Sequence, residues 1–397
     1  MRKADAAVFL LVALEGSWEA AALIPVPDSP TETVTLPVRE GLVTVNVDGQ
    51  DVDLLLDSGY FDLNVLDGHW YERTYGAGAC EERGSGCYFC PEENPCDFNG
   101  KEPITRPAFG GNTSMISIHR SGSLILGGHN VTDFEFAISR VEHVNKDSSV
   151  FGLFGISMVP QSPRYFGWAA NITSVMKALL YRNVIARLSY TLRTDMRQSS
   201  SLVSGQLTLG DAIDESQRGK YISPKHIFDP VTDRALTAVW VWSMKLLDEE
   251  GRILTKNERL THRHRSSYLS LLDTGANLIL LPQPNVLQDI VSKLRMNLKK
   301  QGYTEEEIDR MWWTENGFIR VEERVVRFLP VLTFRLGDGD NAVRIKVPPK
   351  HYCVNMGENE VELRVMNASS ALLGAPLFKA YSVHVDHTDH KIALLEN

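Results

Sequence analysis

Two short stretches of the chain carry the residue types that could do chemistry. "LLLDSG" (Leu54–Gly59) and "SLLDTG" (Ser270–Gly275) each end an apolar run in Asp, a hydroxyl residue and Gly, and their aspartates, Asp57 and Asp273, lie 216 positions apart. An isolated carboxylate in apolar surroundings is costly to ionise. Two that face each other about 3 Å apart cannot both carry charge, and they share one proton. The ionised member is then a base toward a water held between them, and the protonated member an acid that hydrogen-bonds a carbonyl oxygen. That is amide hydrolysis without a covalent intermediate. Gly59 and Gly275 permit a tight turn whose N–H groups can reach the carboxylates. Ser58 and Thr274 bring hydroxyls able to bond from one loop to the other.

One Asp-Ser/Thr-Gly triplet is a weak signal, but this one recurs with a partner. Downstream of each lies an apolar-apolar-Gly triplet: Leu153-Phe154-Gly155 in "VFGLFGIS", 98 positions after Asp57, and Leu372-Leu373-Gly374 in "SALLGAPLF", 101 positions after Asp273. Matched motifs at nearly equal offsets mark an internal repeat of two halves. Short β-rich runs dominate both, among them "TVTLPV", "LVTVNV", "VDLLL", "GQLTLG", "ALTAVWVW", "RVVRFL" and "YSVHVD", punctuated by Gly, Asp, Asn and Pro. Helical spacing appears in "NVLQDIVSKLRMNLKKQG", where Val286, Leu287, Ile290, Val291, Leu294 and Leu298 form a stripe ended by Gly302. It appears again in "NITSVMKALLYRNVI", with Val175, Ala178, Leu179 and Ile185 on one side. Both helices read as packing elements, and "TEEEIDRMWW" as a short helix with a Trp pair.

With 397 residues, the chain is long enough for two to three compact units. A net charge of −9 with no basic stripe speaks against nucleic acid or an anionic membrane as partner. Arg2 and Lys3, the apolar run Ala6–Leu14 and the small residues Ala20–Ala22 read as a signal peptide over 1–22. No other run approaches the roughly 18 apolar residues of a membrane span, and no anchor follows the closing "KIALLEN". Four cysteines, Cys80, Cys87, Cys90 and Cys96, crowd one segment, and two disulfides or a tetrahedral zinc site are the alternatives. Export favours disulfides. Cys353 reads as a buried free thiol. Sequons at Asn112, Asn130, Asn171 and Asn367 fit a secreted surface. His384, His387 and His390 beside Asp386 and Asp389 read as a solvated hairpin tip rather than a metal site, and "THRHRS" (Thr261–Ser266) as a solvated loop.

Taken together, the two loops, "FGLFGIS", "GQLTLGDAID" (Gly205–Asp214) and "ALLGAPLFKAYSVHVDHTDHKIALLEN" resemble the pepsin-like eukaryotic aspartic proteases from about Val34 to Asn397. The resemblance implies an all-β, bilobal fold with a few short helices, an N-terminal lobe over 34–214 and a C-terminal lobe over 215–397. It implies an aspartic endopeptidase with Asp57 and Asp273 as catalytic pair, polypeptide substrates lying extended in the cleft, no cofactor and no metal, acting as a monomer in the secretory pathway, either secreted or in an acidic endomembrane compartment. Ser58, Gly59, Tyr60, Thr274, Gly275 and Ala276 become the loops that support the pair. Between Ala22 and Val34 there is hardly room for the inhibitory prosegment of secreted relatives, and 23–33 reads as a short pro or linker segment.

The sequence departs from the family at three places. Tyr60 stands where a small Ser or Thr usually donates to the first carboxylate, and Ala276, its counterpart, has no donor side chain. Fewer bonds to the ionised forms should raise the pair's pKa values and shift the working range to less acidic pH than pepsin's. The flap hairpin that covers the cleft best matches "AFGGNTS", with Phe109 and Gly110 where relatives have Tyr-Gly, and Asn64 replaces the Trp that bonds the flap Tyr. These departures prompt the alternative of a pepsin-fold protein that binds peptide without cutting it. A carbohydrate- or zinc-binding β protein explains the cysteines but not the repeat.

Overall fold

Alternation of apolar and polar residues builds the first strand: in Val34–Val38, Val34, Leu36 and Val38 are buried while Thr35 and Pro37 are exposed. It lapses in Gln50–Asp57, where Leu54, Leu55 and Leu56 are all buried. Leu54 and Leu56 join the main core, whereas Leu55 turns to the opposite face and packs with Leu42 and Leu153 in a separate small cluster. A run of leucines is therefore covered on both faces, as a strand inside a sheet requires.

These elements belong to a computed structural model that describes residues 32–81, 84–100, 102–107, 113–143, 150–158, 174–195, 200–212, 221–222, 237–248, 267–337 and 342–397. The expected signal peptide, Phe109 and Gly110, Asn112, Asn171, "THRHRS" and the expected lobe junction near 214–215 lie outside the described residues. Among the described residues, no helix is long and apolar enough to cross a membrane.

The architecture is the all-β, two-lobed one that the resemblance implies. In the first half an eight-stranded sheet runs Leu42–Val47, Gln50–Asp57, Leu153–Gly155, Leu63–Asp67, His129–His143, Ser114–Leu126, Ile104–Thr105, with Cys87–Tyr88 beside Leu63–Asp67. Ser114–Leu126 also pairs with Leu42–Val47, so the sheet curls back on itself. In the second half a seven-stranded sheet is centred on Ala238–Leu247, Tyr268–Leu272 and Leu372–Leu373, and a four-stranded sheet runs Trp312–Glu315, Phe318–Glu322, Glu360–Leu363, Cys353–Gly357. A six-stranded sheet joins the halves: Ser189–Thr194 of the first pairs with Tyr381–Asp386 of the second.

The first expected helix spans Val286–Lys300 with Val286, Ile290, Leu294 and Leu298 buried, and Gly302 follows at φ +89°, a conformation that a residue with a Cβ adopts only under strain. The second is Val175–Tyr181, begun by the Ser174 hydroxyl accepting the Lys177 N–H. Cys80 pairs with Cys87 and Cys90 with Cys96, and Cys353 is a part-buried free thiol whose pKa burial pushes up.

Three local expectations are corrected. "RVVRFL" is not a strand but a 3-10 helix over Glu323–Phe328: Val325 is buried while Arg327, which would share its face in a strand, is exposed. The Trp pair is not helical: the helix Glu305–Arg310 ends, and Trp312 and Trp313 open a strand paired with Phe318–Glu322. His384 and His387 are not solvated. They are 2% and 7% exposed, because the strand Tyr381–Asp386 lies inside the sheet that joins the halves and the chain folds back over its end. His384 Nδ1 is 2.7 Å from Thr191 Oγ1 on the paired strand, and burial lowers its pKa.

Leu192 is fully buried on the strand through which the halves are joined. Replacing it with Ala should cost about 2–5 kcal/mol, read as a lower urea midpoint with an unchanged slope.

Candidate active site

Each Asp loop is held by the strand that carries the matched glycine. Gln50–Asp57 pairs in parallel with Leu153–Gly155, placing Asp57 opposite Gly155. Tyr268–Leu272 pairs in parallel with Leu372–Leu373, and the Asp273 N–H donates to the Leu373 carbonyl at 3.2 Å. The loops then double back over those glycines. In the first, Gly155 N–H donates to Asp62 O (3.0 Å) and Ser157 N–H to Tyr60 O (2.8 Å). In the second, Gly374 N–H donates to Leu278 O (3.1 Å) and Ala375 N–H to Ala276 O (2.8 Å). A Cβ on Gly155 would lie 2.6 Å from the Asp62 nitrogen, and one on Gly374 would lie 2.3 Å from the Leu278 oxygen. No side chain fits at either position, which is the physical content of the repeated triplets.

The two loops lock together through their hydroxyl residues. Ser58 N–H donates to Thr274 Oγ1 and Thr274 N–H to Ser58 Oγ, each at 3.0 Å. Ser58 Oγ donates to the Leu272 carbonyl at 2.8 Å and Thr274 Oγ1 to the Leu56 carbonyl at 2.7 Å. Both side chains are fully buried, so all four bonds are made away from water. The lattice brings the carboxyls into contact. A Cβ on Gly59 would lie 3.2 Å from Asp273 Cγ, and one on Gly275 would lie 2.9 Å from Asp57 Cγ.

The electrostatics follow from that packing. The pKa of Asp57 is raised well above the ordinary carboxyl value, first by burial and then by the charge of Asp273 beside it; the N–H groups of Gly59 (2.7 Å to Oδ1) and Tyr60 act the other way. Burial also raises Asp273, against the hydrogen bond with Asp57 and the N–H groups of Gly275 (2.9 Å) and Ala276. The shared proton belongs to the pair rather than to either residue.

Tyr60 supplies a backbone N–H to Asp57, so the bond comes from the main chain at this place in the loop. Its ring packs against the cluster of Leu42, Leu55 and Leu153 with Phe151 and Leu202. Burial holds the phenol neutral, the charges of Asp62 and Asp57 add to that, and the Asn64 carboxamide opposes it. Two further features escaped the sequence reading. Tyr190, fully buried on Ser189–Thr194, has its phenol among Ser58, Thr237 and Asp273. Asp62 is buried and paired with His119. The second has a readable signal: in the internal repeat Asp62 stands opposite the apolar Leu278, a mismatch visible once the halves are aligned.

A model of the eukaryotic aspartyl protease family matches residues 41–396. No curated protein matches the chain significantly.

The raised Asp57 and Asp273 pKa values carry a stability consequence. Folding favours their protonated forms, so their contribution is fully present below the unfolded-state pKa and is lost as pH rises through the folded-state values. Asp57→Asn should therefore raise the melting temperature relative to the parent at neutral pH, with the difference closing in acid. Thermal melts across pH that run parallel for both proteins would refute it.

Proposed function

Because the chain belongs to the eukaryotic aspartyl protease family, we propose that it is an aspartic endopeptidase with Asp57 and Asp273 as its catalytic pair. The observation that carries the reading is the contact of two part-buried carboxyls across loops cross-bonded by Ser58 and Thr274. Peptide binding alone has no chemical need for two facing carboxyls that cost free energy to bury.

In the proposed reaction the ionised carboxylate takes a proton from a water as its oxygen attacks the scissile carbonyl carbon, while the protonated carboxyl gives its proton to the carbonyl oxygen. The tetrahedral diol collapses as the protonated carboxyl gives its proton to the leaving nitrogen and a diol hydroxyl gives its proton to the other carboxylate, which leaves the pair singly protonated. The N–H groups of Gly59 and Tyr60 bond the Asp57 carboxyl, and those of Gly275 and Ala276 the Asp273 carboxyl. The apolar patch of Leu42, Leu55, Leu153 and Tyr60 lies beside Asp57, since Leu55 and Asp57 share a face of their strand.

The proposed lobes are 34–214 and 215–397. The paired cysteines and the exposed sequons Asn130 and Asn367 support a protein of the secretory pathway, with a signal peptide over 1–22, and the proposed acting form is the monomer.

Positions 60 and 276 give the pair backbone N–H groups and no small hydroxyl, so the rate should peak in a less acidic range than pepsin's. The test is cleavage of an unfolded protein across roughly pH 3 to 7 by the parent and by Asp57→Asn, with and without a statine inhibitor. Asp57→Asn should lower kcat by at least about 10³-fold and the inhibitor should abolish cleavage. An optimum below about pH 3 refutes the pH expectation, and cleavage that survives Asp57→Asn refutes the mechanism. Inhibitor binding without cleavage at any pH would instead favour a peptide-binding protein, the reading that Tyr60 and Asn64 prompt.

A further inference from the structure

Five residues beyond Asp57, the first loop contains a buried carboxylate that the fold does not require. Asp62 is 4% exposed, and its Oδ2 lies 3.2 Å from Nε2 of His119, whose side chain is 15% exposed. His119 belongs to Ser114–Leu126, a strand far from the loop in sequence. The pair thus fastens the loop to a second element of the sheet.

The second half shows what the same loop does without it. Asp62 and Leu278 occupy equivalent places, each offering its carbonyl to the glycine N–H beneath it, at 3.0 Å from Gly155 and 3.1 Å from Gly374. Tyr60 and Ala276 correspond in the same way. Where the second loop reads Ala276, Leu278, Leu280, the first reads Tyr60, Asp62, Asn64. Main-chain bonds close the turn in both, the Tyr60 carbonyl accepting the Ser157 N–H where the Ala276 carbonyl accepts the Ala375 N–H, so the polar trio serves something other than the turn.

That something is the large side chain at position 60. Ala276 needs no orientation, but Tyr60 gives its N–H to Asp57 while its phenol sits in the fields of Asp57 and Asp62 and beside Asn64. Asn64 and His119 lie in one cross-strand row, both opposite Ala137 of His129–His143. Burial alone raises the Asp62 pKa, and the hydrogen bond and charge of His119 act to keep it ionised.

We propose that Asp62 and His119 are positioning residues of the catalytic loop: their buried pair ties Tyr60, and through its N–H the Asp57 carboxyl, to the strand Ser114–Leu126. This rests on the reading of Asp57 and Asp273 as the catalytic pair. The pair touches no reacting atom, and its effect is on the chemical step.

Three variants of the full chain test it. His119→Gln keeps a donor toward Asp62. His119→Leu leaves Asp62 without that partner. The double variant Asp62→Leu/His119→Leu makes the site apolar, as at Leu278, and avoids a stranded buried charge. In the double variant the melting temperature should stay near the parent's while kcat falls about 10- to 100-fold with KM within about twofold. Amides of residues 57–64 should exchange faster with deuterium in His119→Leu and the double variant, and His119→Gln should recover both kcat and protection. Parental exchange over 57–64 in the double variant overturns the proposal, and so does parental kcat. If the parent cuts nothing, it is the protease reading that fails, and the exchange of the 57–64 loop still decides the role of the pair.

Discussion

Two part-buried carboxyl groups pressed together repel whenever both ionise, and the structure keeps them there by a lattice of hydrogen bonds that neither lobe can make alone. Ser58 and Thr274 each donate to a carbonyl of the opposite Asp strand and accept an N–H from the opposite loop. The lattice is reciprocal, so breaking one hydroxyl leaves buried donors on both sides unsatisfied. Everything else in the fold serves this contact: the parallel strands that end at the carboxyls, the glycines under the loops, and the sheet that draws strands from both halves.

The glycines show how tight the arrangement is. Gly155 and Gly374 have the loop backbone where a Cβ would be, while Gly59 and Gly275 have a carboxyl of the opposite loop there. The first pair lets each loop fold onto its own strand, and the second lets the loops approach each other. Strand, loop and partner loop are thus specified by four absent side chains as much as by the residues present.

The halves are alike in backbone and unlike in side chains. Ala276, Leu278 and Leu280 give the second loop a plain apolar lining, whereas Tyr60, Asp62 and Asn64 give the first a polar network tied to His119. Asymmetry of this kind suits a pair in which one proton is shared between two chemically identical groups, because the surroundings then decide how each carboxyl is held.

Much of this was legible in the residues themselves. Asp-Ser-Gly and Asp-Thr-Gly at the ends of leucine runs, repeated with their glycine partners, pointed to two loops of one site, because tight turns and buried strands are encoded by near neighbours in sequence. The helix Val286–Lys300 was readable for the same reason. What failed depended on distant partners. "RVVRFL" has the composition of a strand, but which of its residues are buried is set by what packs against it, and Val325 is buried while Arg327 is not. His384 and His387 look like a wet hairpin tip until the strand that carries His384 and ends just before His387 is placed inside the sheet joining the halves. The sequence by itself determined that there are two Asp loops and which hydroxyls and glycines serve them. Only the tertiary structure decided that the carboxyls touch and that Asp62 meets His119, since both contacts arise from strands brought together across long stretches of chain.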